Sequence, residues 1–143
     1  MRCIVAGSRT ITELDVVKDA VVNATFHHQV DEIVSGGARG VDTLAGVVAG
    51  MLDLQFTEMP ADWERHGRRA GYLRNEEMAL YAKETPPGGL VAVWDGISRG
   101  TKHMIDIARR EGLLVHVVIV APVSILQPAR SSKIRPASAR RTT

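Results

Sequence analysis

Three glycines, a serine, an arginine and an aspartate fall within eight residues of each other: Ser35-Gly36-Gly37-Ala38-Arg39-Gly40-Val41-Asp42. An apolar pair, Ile33 and Val34, precedes them, and apolar residues at helical spacing follow. The stretch therefore reads as a strand, a glycine-rich turn and the start of a helix, an arrangement that turns backbone N–H groups toward an anion. The chemistry it suggests is phosphate binding. The first position of the dinucleotide fingerprint G-x-G-x-x-G is Ser35 here, and no G-x-x-x-x-G-K-[ST] loop occurs in the chain. A second turn, Asp95-Gly96-Ile97-Ser98-Arg99-Gly100-Thr101, follows another apolar run. A third, Gly7-Ser8-Arg9, follows the first apolar run of the chain.

Apolar periodicity supplies the elements that must hold these turns. Strands are expected at residues 2–6, at 33–34, over 54–58 up to Pro60, at 90–94 and at 113–120. The last is a continuous, largely β-branched run, with His116 within it, of the kind expected for a strand buried on both faces. Helices are expected where Leu14, Val17, Val21 and Ala24 share a face, over 41–51, over 72–82, and around Met104, Ile107 and Ala108. Thr12 and Asp15 form a variant capping box for the first helix. Residues 60–71, carrying Asp62, Trp63, Arg65, His66, Arg68 and Arg69, read as an irregular charged loop.

Strands alternating with helices predict an α/β, Rossmann-like three-layer domain with a mostly parallel sheet of about five strands. In such a sheet the loops that follow the strands share one edge, where ligands bind. Residues 7–9, 35–42, 60–75 and 95–101 should therefore meet. The hydroxyls of Ser8, Ser35, Ser98 and Thr101 are candidate donors to phosphate, and Arg9, Arg39, Arg74 and Arg99 are candidate bidentate partners. Each arginine has the alternative of being a surface charge. Trp63 is suited either to stacking on a base or to anchoring its loop.

The chain has 143 residues, 45% of them hydrophobic, which suits one domain with a sizeable core. We assign residues 1–121 to that domain and 122–143 to a flexible basic tail. All 16 acidic residues precede Ala121, whereas Arg130, Lys133, Arg135, Arg140 and Arg141 lie beyond it, so the body is net negative and the overall +2 comes from the tail. Weak nucleic-acid contact by that tail is one use for it. No run of about 18 apolar residues or signal pattern occurs, so a cytoplasmic protein without membrane contact is expected. Cys3, the one cysteine, sits in an apolar run and reads as a buried, inert thiol. His27, His28, His66, His103 and His116 lack ligand spacing, so no metal is expected, and nothing calls for a resident cofactor. Gly96-Ile97-Ser98-Arg99-Gly100 matches the bare pattern G-x-S-x-G, which by itself does not make a nucleophile elbow.

Taken together, Ala6-Gly7-Ser8-Arg9, the stretch 35–42, Ala61-Asp62-Trp63 with Gly67-Arg68-Arg69-Ala70-Gly71, Arg74-Asn75-Glu76-Glu77-Met78, and Asp95-Gly96 through Gly100-Thr101 resemble the SLOG superfamily. Within it, the YspA group of YpsA-related proteins is the nearest match, over nearly all of residues 1–120. The resemblance implies a Rossmann-like fold, a pocket for a nucleotide or nucleotide-derived ligand, sensing or processing of that ligand, assembly as a homo-oligomer, and a bacterial or phage setting. Two relatives frame alternatives. LOG-type phosphoribohydrolases cleave the N-glycosidic bond of nucleoside monophosphates and carry Pro-Gly-Gly-x-Gly-Thr-x-x-Glu at the second turn, where this chain has Met104 in place of the glutamate. A methionine can neither handle a proton nor stabilise an oxocarbenium-like centre by charge, so that mechanism does not transfer directly. Asp42, Asp62, Asp95 and Glu76 remain candidate acids for a hydrolase, with Asp42 best placed at the start of the second helix and Glu76 the other leading candidate. DprA-type proteins bind single-stranded DNA and share a stretch like 35–42 and an Arg-Asn pair like Arg74-Asn75. An aromatic content of 4% and a negative body give little support to an extended stacking groove.

Overall fold

The computed structural model describes residues 1–24 and 28–121. The basic tail at 122–143 and His27 lie outside the described residues. The elements run β1 (Arg2–Gly7), α1 (Leu14–Val22), β2 (Glu32–Ser35), α2 (Val41–Met51), β3 (Gln55–Glu58), α3 (Trp63–His66), a 3-10 turn (Gly67–Arg69), α4 (Ala70–Lys83), β4 (Gly89–Trp94), α5 (Arg99–Arg110) and β5 (Leu114–Ile119). The five strands form one sheet in the order β3-β2-β1-β4-β5, with every pairing parallel.

Side-chain alternation along β1 divides the core into two. Cys3 and Val5 face one side, with Ile33, Val17 and Val21 of α1 and Ala45 and Val48 of α2. Ile4 and Ala6 face the other, with Val34, Met78 and Ala82 of α4 and Met104 and Ile107 of α5. Each fully buried large apolar side chain of this kind contributes about 1.5–3 kcal/mol through removal from water. Burial pushes the Cys3 thiol up to about 12, which keeps it protonated and unreactive.

The topology sets the position of the site. The chain builds outward from β1 through β2 to β3, then returns across the sheet to place β4 on the other side of β1. The loops after β1 and β4 consequently diverge, and a crevice opens between them at the carboxyl edge.

Three expectations are corrected. Residues 60–71 are mostly helical, because the Asp62 carboxylate accepts a hydrogen bond from the Arg65 amide at 3.1 Å and caps α3. β5 is an edge strand, incompletely covered rather than buried on both faces; its ends Leu114 and Ile119 are exposed. The Thr12–Asp15 capping box does not form, because α1 starts one residue later, with Glu13 at the N-cap and no side-chain cap. Asp15 remains in the first turn, where its charge suits the helix dipole.

Candidate functional site

A cavity of about 410 Å³ occupies the crevice. All four expected segments reach it. Gly7, Ser8 and Arg9 come from the loop after β1, Ala38 and Asp42 from the turn into α2, and Trp63, Arg74 and Asn75 from α3 and α4. Asp95, Ser98, Gly100 and Thr101 come from the loop after β4 and the first turn of α5. The remaining candidates, Ser35, Gly36, Gly37, Arg39, Gly40, Gly96, Arg99 and Glu76, do not line it.

The stretch 35–42 is stitched to itself. Ser35 is fully buried; its hydroxyl donates to the Asp42 carbonyl at 2.9 Å and accepts from the Gly37 amide at 3.3 Å. The Ala38 amide donates to the Asp42 carboxylate at 3.2 Å, and the Thr43 hydroxyl donates to the Ala38 carbonyl at 2.8 Å. Val41 N–H is used by the Ser8 carbonyl. The Asp42 carboxylate thus sits at the turn as an internal anion. Burial raises its pKa above the ordinary aspartate range, against the opposing pull of the Ala38 amide, Arg74 and Arg9. Gly40 allows close packing of backbone on backbone, whereas Gly36 and Gly37 lie against the side chains of Arg74 and Glu58. Gly40 has φ +71°, and a Cβ there would lie 2.5 Å from the Ser8 and Arg9 carbonyl oxygens.

The turn after β4 is organised differently. Asp95 Oδ1 accepts from the amides of Ile97 and Ser98, each at 2.8 Å, and the Asp95 amide donates to Ser8 Oγ at 3.0 Å. Burial works against the Asp95 charge, but these amides and the Ser8 hydroxyl outweigh it and hold its carboxyl below the ordinary range. The Asp95 carboxylate is therefore committed to shaping the loop. The amides of Arg99, Gly100 and Thr101, in the first turn of α5, have no acceptor among the described residues. The Asp42 and Thr43 amides, in the first turn of α2, likewise have no acceptor among the described residues, but there the Asp42 carboxylate already lies at the turn.

Arg74 and Asn75 link the elements. Arg74 Nη1 donates to the Gly36 carbonyl at 2.6 Å, and its Nε donates to Asn75 Oδ1 at 3.1 Å. Asn75 Nδ2 donates to the Gly100 carbonyl at 3.3 Å and lies 3.0 Å from His103 Nδ1. Arg9 and Arg68 are exposed at the cavity without an ion pair or hydrogen bond among the described residues. Trp63 and Tyr72 line the same space and are 52% and 47% exposed, so both rings have surface left to cover a ligand. Ala6, Met78 and Met104 are buried where they line it, giving part of its wall an apolar character.

Reading residues one by one missed Ala6, Thr10, Arg68, Gly71, Tyr72, Met78 and Met104 as lining residues. Arg68 and Tyr72 carried a signal, since Arg68 lies within the charged segment expected at the crevice and Tyr72 directly follows it; the apolar ones carried none apart from core periodicity. Met104, at the position of the hydrolase glutamate, is 1% exposed and packs inward with Ile107 and Ala108, as its spacing suggests. Glu76 pairs with Arg110 across α4 and α5 at 3.4 Å. Among the described residues no group of three or more His, Cys, Asp or Glu could hold a metal ion, and no helix is long and apolar enough to cross a membrane.

Comparison with known proteins agrees with the motif order. The family model described as "YspA, cpYpsA-related SLOG family" matches residues 1–66. The "Gene 61 protein" of Mycobacterium phage D29 is 35% identical over 120 residues, spanning 80% of this chain and 93% of that relative. No solved structure gives a significant match. With that motif order, the matching family model and a relative aligned along nearly its whole length, the chain belongs to the YspA, cpYpsA-related SLOG family.

Proposed function

We propose that the protein binds a nucleotide or nucleotide-derived ligand in the cavity between the loops after β1 and β4. One observation carries this reading: unpartnered cationic groups, an open helix start and two half-exposed aromatic rings border a single space of about 410 Å³. Guanidiniums and backbone amides suit phosphate oxygens, and the rings of Trp63 and Tyr72 suit a base.

The residue roles differ from those read off the sequence. The phosphate belongs at the first turn of α5, near Gly100 and Thr101, because the amides of Gly37 and Ala38 already have acceptors. Arg74, Arg9 and Arg68 supply the countercharge. Asp42, with its carboxylate at the cavity wall, suits a donor on the ligand such as a sugar hydroxyl. Binding, as in a sensor, is favoured over glycosidic hydrolysis, since Met104 is buried and Glu76 lies outside the cavity.

Calorimetric titration with AMP and with ADP-ribose tests the reading. At least one of them should bind, and Arg74→Ala should weaken that binding by about 1.5–3 kcal/mol, the value of a charge-assisted hydrogen bond. Affinity unchanged in both Arg74→Ala and Arg9→Ala would place any binding elsewhere.

A further inference from the structure

The Asn75 side chain makes three polar contacts, compatible in only one way. Arg74 Nε can only donate and the Gly100 carbonyl can only accept, so the amide oxygen must face Arg74 and the amide nitrogen must face Gly100. The second hydrogen of Nδ2 is left for His103 Nδ1, 3.0 Å away. His103 Nδ1 must therefore present its lone pair, and the imidazole proton sits on Nε2. An imidazolium would set N–H against N–H at this contact. Asn75 could answer by turning over, but its nitrogen would then face Arg74 Nε–H.

We propose that His103 is a positioning residue of the cavity: neutral and protonated on Nε2, it completes the Asn75 clamp that holds Arg74 and the first turn of α5 toward the ligand, and a second proton releases both. The proposal rests on the cavity being the nucleotide site. The groups that face His103 are Glu76 and the edge-to-face ring of Tyr72 from α4, and Asp106 and Arg110 from α5. Burial disfavours the imidazolium, and Arg110 adds to this; Glu76 and Asp106 oppose, and the balance holds His103 below the ordinary histidine range. At neutral pH the clamp is closed. Tyr72, whose ring centroid lies 4.4 Å from that of His103, gives the same imidazole a second contact to the cavity wall.

The test starts with the wild-type protein, using imidazole and arginine side-chain NMR between about pH 5 and about pH 8. His103 should show the Nε2–H form at neutral pH, and a protected Arg74 Nε–H signal should broaden with the same midpoint as the His103 titration. ADP-ribose, whose pyrophosphate stays fully ionised over this range, should lose affinity by roughly tenfold per pH unit below that midpoint. In His103→Asn, which cannot titrate, the ratio of affinities between the two pH values should flatten. An Nδ1–H form, an Arg74 signal indifferent to the His103 titration, or an undiminished acid fall in His103→Asn would overturn the proposal; the last would assign the fall to Asp42. Coupled His103 and Arg74 titrations without ADP-ribose binding at any pH would support the clamp and count against the nucleotide reading.

Discussion

The Arg74 guanidinium rests on Gly36: Nη1 donates to the Gly36 carbonyl at 2.6 Å, and a Cβ on Gly36 would lie 2.1 Å from that same nitrogen. Gly36 does not have a positive φ, so alanine fits the backbone and the strain falls on the flexible arginine. Gly36→Ala should therefore displace Arg74 and reduce ligand affinity about as much as Arg74→Ala, tenfold or more for a loss near 1.5 kcal/mol. Stability should change by less than about 1 kcal/mol. Calorimetry and urea unfolding of both variants check the two halves of this expectation.

Gly40 should behave in the opposite way. Its φ of +71° and the 2.5 Å approach of two carbonyl oxygens leave no room for a side chain, and nothing nearby is flexible. Gly40→Ala should destabilise by about 1–3 kcal/mol or more. The measurement is the urea midpoint; a variant as stable as wild type would contradict the packing described for the α2 start.

Glu32, at the far edge of the sheet, gives a pH dependence unconnected with the cavity. Its Oε2 accepts from the Thr57 hydroxyl and the Tyr81 hydroxyl, each at 2.6 Å, and Arg2 Nε lies 3.4 Å from Oε1. Burial opposes the charge, yet these partners outweigh it and hold the carboxyl below the ordinary glutamate range. A depressed folded pKa contributes stability that is present above the unfolded value, near 4.3, and lost as pH falls through the folded value. Glu32→Gln should lower stability at neutral pH by about 1.5–3 kcal/mol and remove that part of the acid sensitivity. Parallel unfolding curves of the two proteins from neutral to acid pH decide it.

Asp42 carries the reverse sign. Burial raises its folded pKa, so keeping it ionised at neutral pH costs stability, and that cost shrinks as pH falls into the window between the unfolded and folded values. Asp42→Asn can keep the Ala38 hydrogen bond through its amide oxygen while shedding the charge. Its thermal midpoint at neutral pH should equal or exceed wild type, with ligand affinity altered; a clear fall in the midpoint would show that Arg74 and Arg9 outweigh desolvation.

The strand-helix alternation and the four converging loops were legible because apolar periodicity and glycine turns are local signals. The extent of α2, Val41–Met51, follows from that periodicity alone. Sequence alone does not decide what the glycines of the turn at 35–42 are for, and the reason is physical. Glycines that admit a ligand and glycines that admit another stretch of backbone have the same composition, and only the fold brings Ser8, Arg9 and Arg74 against Gly40 and Gly36. α3 has a single local signal, Asp62 as its N-cap, because four residues are too few to show a period. His103 had no sequence signal at all; its value comes from meeting Asn75 across two helices 28 residues apart.

The central claim is that one cavity takes a nucleotide-derived ligand. Thermal unfolding against a panel of nucleoside monophosphates, ADP-ribose, NAD, cyclic nucleotides and short single-stranded DNA, run on wild type and Arg74→Ala together, addresses it most directly. A ligand at about 100 times its dissociation constant stabilises by roughly 2.7 kcal/mol, a rise of several degrees for a domain of this size. We predict such a rise for a small nucleotide in wild type, reduced in Arg74→Ala. A rise with DNA alone, or one of equal size in both proteins, would contradict the account.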